Sequence, residues 1–228
     1  MRALIVQHGE DGPGGHVSDW LAAHDARVEL FRIDIDESER DPRAYDLIVP
    51  LGSEAAAYDD TVSWVPRELG LLREAAAADV PVFGICFGAQ LLARALGGVA
   101  MRARRAEIGW VPIRTRDPSL IAEGPWLQWH YDTFTLPPGS TLLADSAAGP
   151  QAYTVGRSLG VQFHPEVSAD IVAMWVTEDG DALRRQGLDP DGLLAESRER
   201  EAANRSRAWR LMDAFAEGVA GVSGSRTR

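Results

Sequence analysis

Hydrophobic positions follow two different rhythms along this chain. In its first part short apolar runs, "RALIVQ" (2–7), "RVELFRI" (27–33), "YDLIVPLGS" (45–53) and "VPVFGI" (80–85), read as strands. Between them lie stretches of helical spacing. Val17, Trp20 and Leu21 share a face within residues 16–25, "SWVPRELGLLREAAAAD" (63–79) is rich in leucine and alanine, and "FGAQLLARALGG" (87–98) follows the fourth strand. The glycines and proline of "HGEDGPGG" mark the first connection as a loop. Strand and helix in alternation predict an α/β fold: a doubly wound, mostly parallel sheet with helices on both faces.

The rhythm changes between about residues 99 and 163. "IGWVPIR", "LQWHYDTF", "STLLAD", "QAYTVG" and "LGVQF" are short β-rich pieces separated by Gly, Pro and Asp turns. They predict a small antiparallel excursion that returns to the main sheet at "VQF". Beyond it the chain reads as helical. "SADIVAMWV" comes first, then residues 190–219, where Ala208, Leu211, Met212, Phe215 and Val219 fall on one face and Arg198, Glu199 and Arg200 on the solvated side. We read residues 1–222 as a single domain and 223–228, which include "GSRTR", as a frayed tail.

Composition narrows the function. The chain has 228 residues and a formal net charge of −11, which argues against nucleic acid and anionic membranes as partners, since phosphate binding draws on clustered positive charge. All 23 positive residues are arginine, so Schiff-base chemistry on lysine and a P-loop lysine are both excluded. The single cysteine cannot form an internal disulfide. "MRALIVQHGED" lacks the apolar stretch of a secretory leader, and no apolar run reaches membrane-spanning length, so a cytoplasmic protein is expected. Histidine and cysteine pairs at metal-ligand spacing are absent, and no metal site is expected.

That cysteine, Cys86, carries the candidate chemistry. A lone cysteine ordinarily just packs. In "GICFG", however, it sits between glycines where a strand gives way to a helix, the geometry of a nucleophile elbow. The helix N-terminus favours a thiolate, and a free amide beside it can hold an oxyanion. A nucleophile of this kind needs a base and a group to orient that base. "VQFHPEV" supplies His164 and Glu166 at the end of another strand, on the sheet edge where ligand sites of open α/β folds gather.

"GICFGAQLLARALGG" followed 78 residues later (164 − 86) by "HPEV" resembles the class I glutamine amidotransferases. The likeness is closest to free-standing members similar to the amidotransferase domain of GMP synthase, and it covers roughly residues 40–170 well. The resemblance implies a flavodoxin-like fold with Cys86 as nucleophile, His164 as general base and acid, and Glu166 as its orienter. It implies an oxyanion hole from the amides of Gly52 and Phe87, although Leu51, Gly52 and Ser53 stand where many relatives read Gly-Gly-Pro. Gln90 matches a glutamine that contacts the amino-acid end of the substrate. "WHYDT" resembles a His-Gly-Asp stretch beside the substrate pocket, which makes His130, Tyr131 and Asp132 substrate-binding candidates, with Tyr131 in place of the glycine. Glu107 matches a position near the site, and His8 is a candidate for the pocket rim; His16 and His24 have no assigned role.

The implied activity is hydrolysis of the side-chain amide of glutamine through a thioester, without a cofactor. Its ammonia would go to an acceptor held by a separate synthetase partner. The same fold also hosts γ-glutamyl peptide and amide hydrolases. A different class, a regulatory or binding module without turnover, is disfavoured by the presence of all three of Cys86, His164 and Glu166. Peptidase or chaperone relatives with an elbow cysteine lack the "HPE" arrangement.

Overall fold

The structure is a computed structural model, and it describes residues 1–222; the tail expected at 223–228 lies outside the described residues. Strands β1 (Arg2–Gln7), β2 (Arg27–Arg32) and β3 (Leu47–Pro50) run parallel with β1 in the middle. A bridge from Ile48 to Val82 joins β3 to β4 (Phe83–Ile85). The strand between Ala100 and Val111 (β5), the short Arg114–Thr115 (β6) and Trp126–Phe134 (β7) follow. The chain then forms β8 (Thr141–Asp145), β9 (Pro150–Val155) and β10 (Ser158–Val161). Strand β10 lies parallel beside β4, and β9, β8 and β6 continue the sheet in antiparallel order.

The antiparallel region therefore divides in two. Only β5 and β7 leave the sheet, as a ribbon pairing Glu107 with His130 and Val111 with Trp126, whereas β6, β8 and β9 extend the main sheet. One bridge, Leu127 to His164, ties the ribbon back to the chain just past β10.

Period-two alternation sends the residues of each central strand to opposite layers. Ala3 and Ile5 of β1 and Leu47 and Val49 of β3 pack with Trp20, Leu211, Met212 and Phe215. Leu4 and Val6 pack with Leu69, Leu72 and Leu92 on the other face. The first layer is built by α1 (Gly15–Ala23) and α5 (Pro190–Phe215), the second by α2 (Trp64–Ala77) and α3 (Phe87–Ala95). Burying a side chain such as Phe83 or Phe215 removes apolar surface worth roughly 2–3 kcal/mol each, and both are fully buried.

Helix α4 (Ala169–Arg185) is longer than "SADIVAMWV" suggests. Its inward face continues through Gly180 and Leu183, inside a stretch whose acidic residues and glycines mask the period. Ser168 caps it, accepting the Ile171 N–H at 3.3 Å, and Asp189 with Pro190 starts α5 in the same way. The expected face of α5 is buried at Ala208, Leu211, Met212 and Phe215, while Val219 is half-buried in a closing π turn (Ala216–Ala220). Arg198 and Glu199 are exposed as expected. Arg200 is not fully solvated: its guanidinium lies over the Trp110 ring at 5.9 Å. Among the described residues, no helix is long and apolar enough to cross a membrane.

Strands β2 and β3 lie on opposite sides of β1, so the strand order reverses there. A crevice opens at the carboxyl ends of strands flanking such a reversal. The loops after β1 and β3, the elbow after β4 and the turn after β10 all line one cleft of about 280 Å³.

Candidate active site

Residue 86 lies where β4 ends and α3 begins, in a backbone conformation that L-residues rarely adopt, φ 51° and ψ −106°. The neighbouring glycines are required by space. A Cβ on Gly84 would come within 2.8 Å of the Gly88 backbone, and one on Gly88 would collide with the carbonyl of Pro50. The strained turn is pinned by Cys86 N–H to the Val161 carbonyl (2.8 Å), Gly88 N–H to Leu51 (3.1 Å) and Gln90 N–H to Cys86 (3.0 Å). The side chain is only 6 % exposed, yet it lines the cleft.

His164 reaches the same point from the end of β10. Its backbone N–H donates to Leu127 at 2.9 Å, and its ring meets Trp175 edge-on at 5.0 Å. Nδ1–H donates to Glu166 Oε1 at 2.6 Å, since a carboxylate can only accept. Nε2 is left to Cys86, with no nitrogen or oxygen partner among the described residues. Burial works against a charged ring here, but the Glu166 carboxylate and the Cys86 sulfur outweigh it and push His164 up to about 10. The Glu166 carbonyl accepts the His16 N–H at 2.8 Å, which ties Glu166 to α1.

Gly52 sits opposite. A Cβ there would lie 3.1 Å from His164 Cε1, tight enough to shift the imidazole by a few tenths of an ångström, and 3.8 Å from Cys86 Cβ, an ordinary contact. The N–H groups of Gly52 and Phe87 enter no loop or turn hydrogen bond among the described residues. Ser53 Oγ accepts the Ala55 N–H at 3.1 Å and closes the turn after Gly52.

Gln90 is buried on α3 and lines the cleft, but its amide is engaged: Nε2 donates to Gln162 Oε1 at 3.1 Å. Gln162 Nε2 in turn points at Cys86 Sγ, 3.5 Å away. Gln162 was not singled out from sequence, although it stands inside "VQFHPEV"; its position one residue past β10, two before His164, was the available signal.

His130, Tyr131 and Asp132 all line the cleft from β7. His130 is buried, with Nδ1 3.0 Å from the Asp132 carbonyl and Nε2 3.4 Å from Glu107. Burial alone would raise the Glu107 carboxyl; the His130 ring beside it and the hydrogen bond from Ser146 hold it below the usual carboxylate range. Glu107 thus belongs to a buried network with Ser146 and Gln151 behind His130. Tyr131 lies under the Arg102 guanidinium (4.9 Å), and Asp132 accepts from Arg102 and Tyr58. His16 and His24 stay outside the cleft lining; His24 stacks on Trp20 at 4.1 Å.

The outer wall is acidic. Asp11, Glu54 and Glu178 bring carboxylate oxygens within 4.8 Å of one another. Desolvation, with Asp11, Asp179 and Glu178 nearby, raises the Glu54 carboxyl. Trp175 Nε1–H donates to the Asp11 carbonyl at 2.8 Å and closes this wall over His164.

A strained elbow cysteine and a carboxylate-held imidazole thus line one cleft at a topological switch point of an α/β fold. The family profile of glutamine amidotransferase class-I matches residues 16–174. This chain belongs to that family. A GMP synthase [glutamine-hydrolyzing] of Thermus thermophilus is 37 % identical over 145 residues, which is 57 % of this chain and 28 % of the relative. Another protein of that name, from Bordetella parapertussis, is 33 % identical over 196 residues, 74 % of this chain and 34 % of the relative. The chain thus spans about a third of the length of these relatives. Among solved structures, a glutamine amidotransferase from Thermotoga maritima superposes with a TM-score of 0.87 at 28 % identity, covering 96 % of this chain and 99 % of the other. One from Methylobacillus flagellatus gives the same TM-score and identity over 100 % and 98 %.

Proposed function

We propose that this protein hydrolyses the side-chain amide of glutamine through a thioester on Cys86 and passes the ammonia to a separate synthetase partner. The observation that carries the reading is the arrangement of Cys86 on its elbow opposite His164, whose Nδ1–H is held by Glu166 at 2.6 Å. His164 takes the thiol proton, and the thiolate attacks the amide carbon. The tetrahedral oxyanion is received by the amides of Gly52 and Phe87. The C–N bond then breaks as the His164 imidazolium protonates the leaving nitrogen, releasing ammonia. Water enters, gives its proton to His164 and attacks the thioester; the C–S bond breaks and glutamate leaves. In this reading Gln90, His130, Tyr131 and Asp132 shape the pocket for the amino-acid end of the substrate, and no cofactor takes part.

The raised His164 supports its part as the acid, because a ring that keeps its proton up to about 10 can protonate the leaving nitrogen. The synthetase partner is supported by the relatives' name, GMP synthase [glutamine-hydrolyzing]. The test is glutamate release from glutamine and from γ-glutamyl peptides, side by side, by the purified protein with and without a Cys86→Ser exchange. Release from glutamine that disappears in the variant supports the proposal. A strong preference for peptides would replace it with a γ-glutamyl hydrolase, and undiminished release in the variant would overturn both.

A further inference from the structure

A second buried histidine–carboxylate couple lies behind the Gly52 loop, and the hydrolytic scheme leaves it without a task. His8 follows β1; Glu68 projects from the inward face of α2, among Val65, Leu69 and Leu72. His8 Nε2 is 2.6 Å from Glu68 Oε2, and both side chains are fully buried. His8 Nδ1 is 3.0 Å from the carbonyl oxygen of Gly52. The ring is stacked on Trp64 at 4.7 Å and meets Phe87 edge-on at 4.9 Å.

Both partners of the ring accept hydrogen bonds. A carbonyl can only accept, so Nδ1 carries a proton. An ionised carboxylate can only accept as well, so either Nε2 carries a second proton or the carboxyl does. In both cases the couple holds one proton more than a neutral imidazole beside a carboxylate. Burial opposes the charged ring, but Glu68 outweighs it and raises His8, with a smaller contribution from Asp34, which is itself paired with Arg32 at 2.8 Å.

Gly52 shows what such a brace is for. A Cβ here would press on His164, and glycine, which spares that contact, has the least restricted backbone of any residue. The carbonyl before it, on Leu51, is tied to Gly88, and its own carbonyl is tied to His8. The Gly52 N–H shares its peptide plane with the Leu51 carbonyl that Gly88 holds, while His8 holds the next peptide, across the Gly52 Cα, so the backbone angles of this glycine are restrained from both sides. We propose that His8, held by Glu68, is a positioning residue for the oxyanion hole: it fixes the Gly52 carbonyl and backs Phe87, the residue that carries the other amide. The inference rests on the hydrolytic reading above.

The test exploits the two nitrogens separately. In His8→Asn the side-chain N–H falls near Nδ1 and still reaches Gly52; in His8→Gln it falls near Nε2 and reaches only Glu68. His8→Gln should lose about 10²-fold in kcat for glutamate release, the scale of a lost oxyanion donor, with KM within about twofold. The rate of Cys86 alkylation by iodoacetamide, which builds no oxyanion, should be unchanged, and His8→Asn should keep most of the activity. Equal losses in the two variants, or alkylation falling in step with kcat, would overturn the proposal. Nitrogen-15 spectra of the histidine rings add a readout independent of turnover: Nδ1 of His8 should be protonated at neutral pH, and a bare Nδ1 would overturn it. If the wild type releases glutamate from no γ-glutamyl amide, the functional reading fails. Amide hydrogen exchange at Gly52 then decides the brace, which predicts faster exchange in His8→Gln than in His8→Asn and fails if the two are equal.

Discussion

Among the described residues two buried histidine–carboxylate couples share one length, shorter than the buried His130–Glu107 contact at 3.4 Å. His164 and Glu166 are 2.6 Å apart, and so are His8 and Glu68. In both, burial works against the charged ring and the carboxylate overcomes it. They differ at the second ring nitrogen. Across its ring His164 faces Cys86, whereas His8 Nδ1 is engaged by a carbonyl. In the functional reading proposed above, the first couple moves a proton and the second supports a loop. A third pair marks the limit: Glu201 lies 3.3 Å from His16 Nε2 without the alignment of a hydrogen bond, and it is partly exposed. There desolvation prevails and His16 is lowered.

Removing the moving couple's target has the largest expected effect. Cys86→Ala should reduce glutamate release on the order of 10⁴-fold or more, and the purified variant should take up no glutamine-mimicking diazo-ketone at residue 86 by mass. Next comes Glu166→Gln, which leaves the ring without its orienting carboxylate and should cost about 10²–10⁴-fold. Because Glu166 helps hold His164 up at about 10, the alkaline loss of activity should move to lower pH in this variant. A rate profile between pH 6 and 10 with no such shift would break the distinction between the two couples.

The supporting couple should be visible in stability. A raised His8 means that the folded state binds the extra proton, so its contribution is complete below about pH 6.5 and is lost as pH rises through the raised value. Urea midpoints should fall on the alkaline side in the wild type and fall less in His8→Asn. His16 should act with the opposite sign and the smallest effect. Its lowered value means that the unfolded chain binds more protons, so stability is lost as pH falls below about 6.5. His16→Asn should flatten that acid limb, again read from urea midpoints.

The moving couple was legible in the sequence and the supporting one was not. Cys86, His164 and Glu166 announce themselves locally: glycines flank the elbow, and the histidine and glutamate directly follow an apolar strand. His8 was noticed only as a rim candidate, because its role depends on residues 44 and 60 positions away. Glu68 did leave a trace, since it interrupts the apolar face formed by Val65, Leu69, Leu72 and Ala75, where an unpaired carboxylate could not be buried. Gln162 was hidden by its neighbours in "VQFHPEV", and Trp175 looked like one more apolar residue of a helix. The parallel strands were readable because each is a continuous apolar run. The split of the antiparallel region was not, because pairing between β8 and β9 or between β5 and β7 depends on register and not on composition.

Helix α1 begins at a position that a protein engineer would be tempted to improve. Gly15 stands in its first turn with φ +38°, where alanine would ordinarily favour a helix by about 1 kcal/mol. A methyl group there would collide with the carbonyl of Glu166, the same oxygen that receives the His16 amide. Helix-propensity optimisation and consensus smoothing of this turn would therefore push apart the first and last thirds of the chain at the residue that aims His164. The smallest side chain in the helix sets how closely the two can meet.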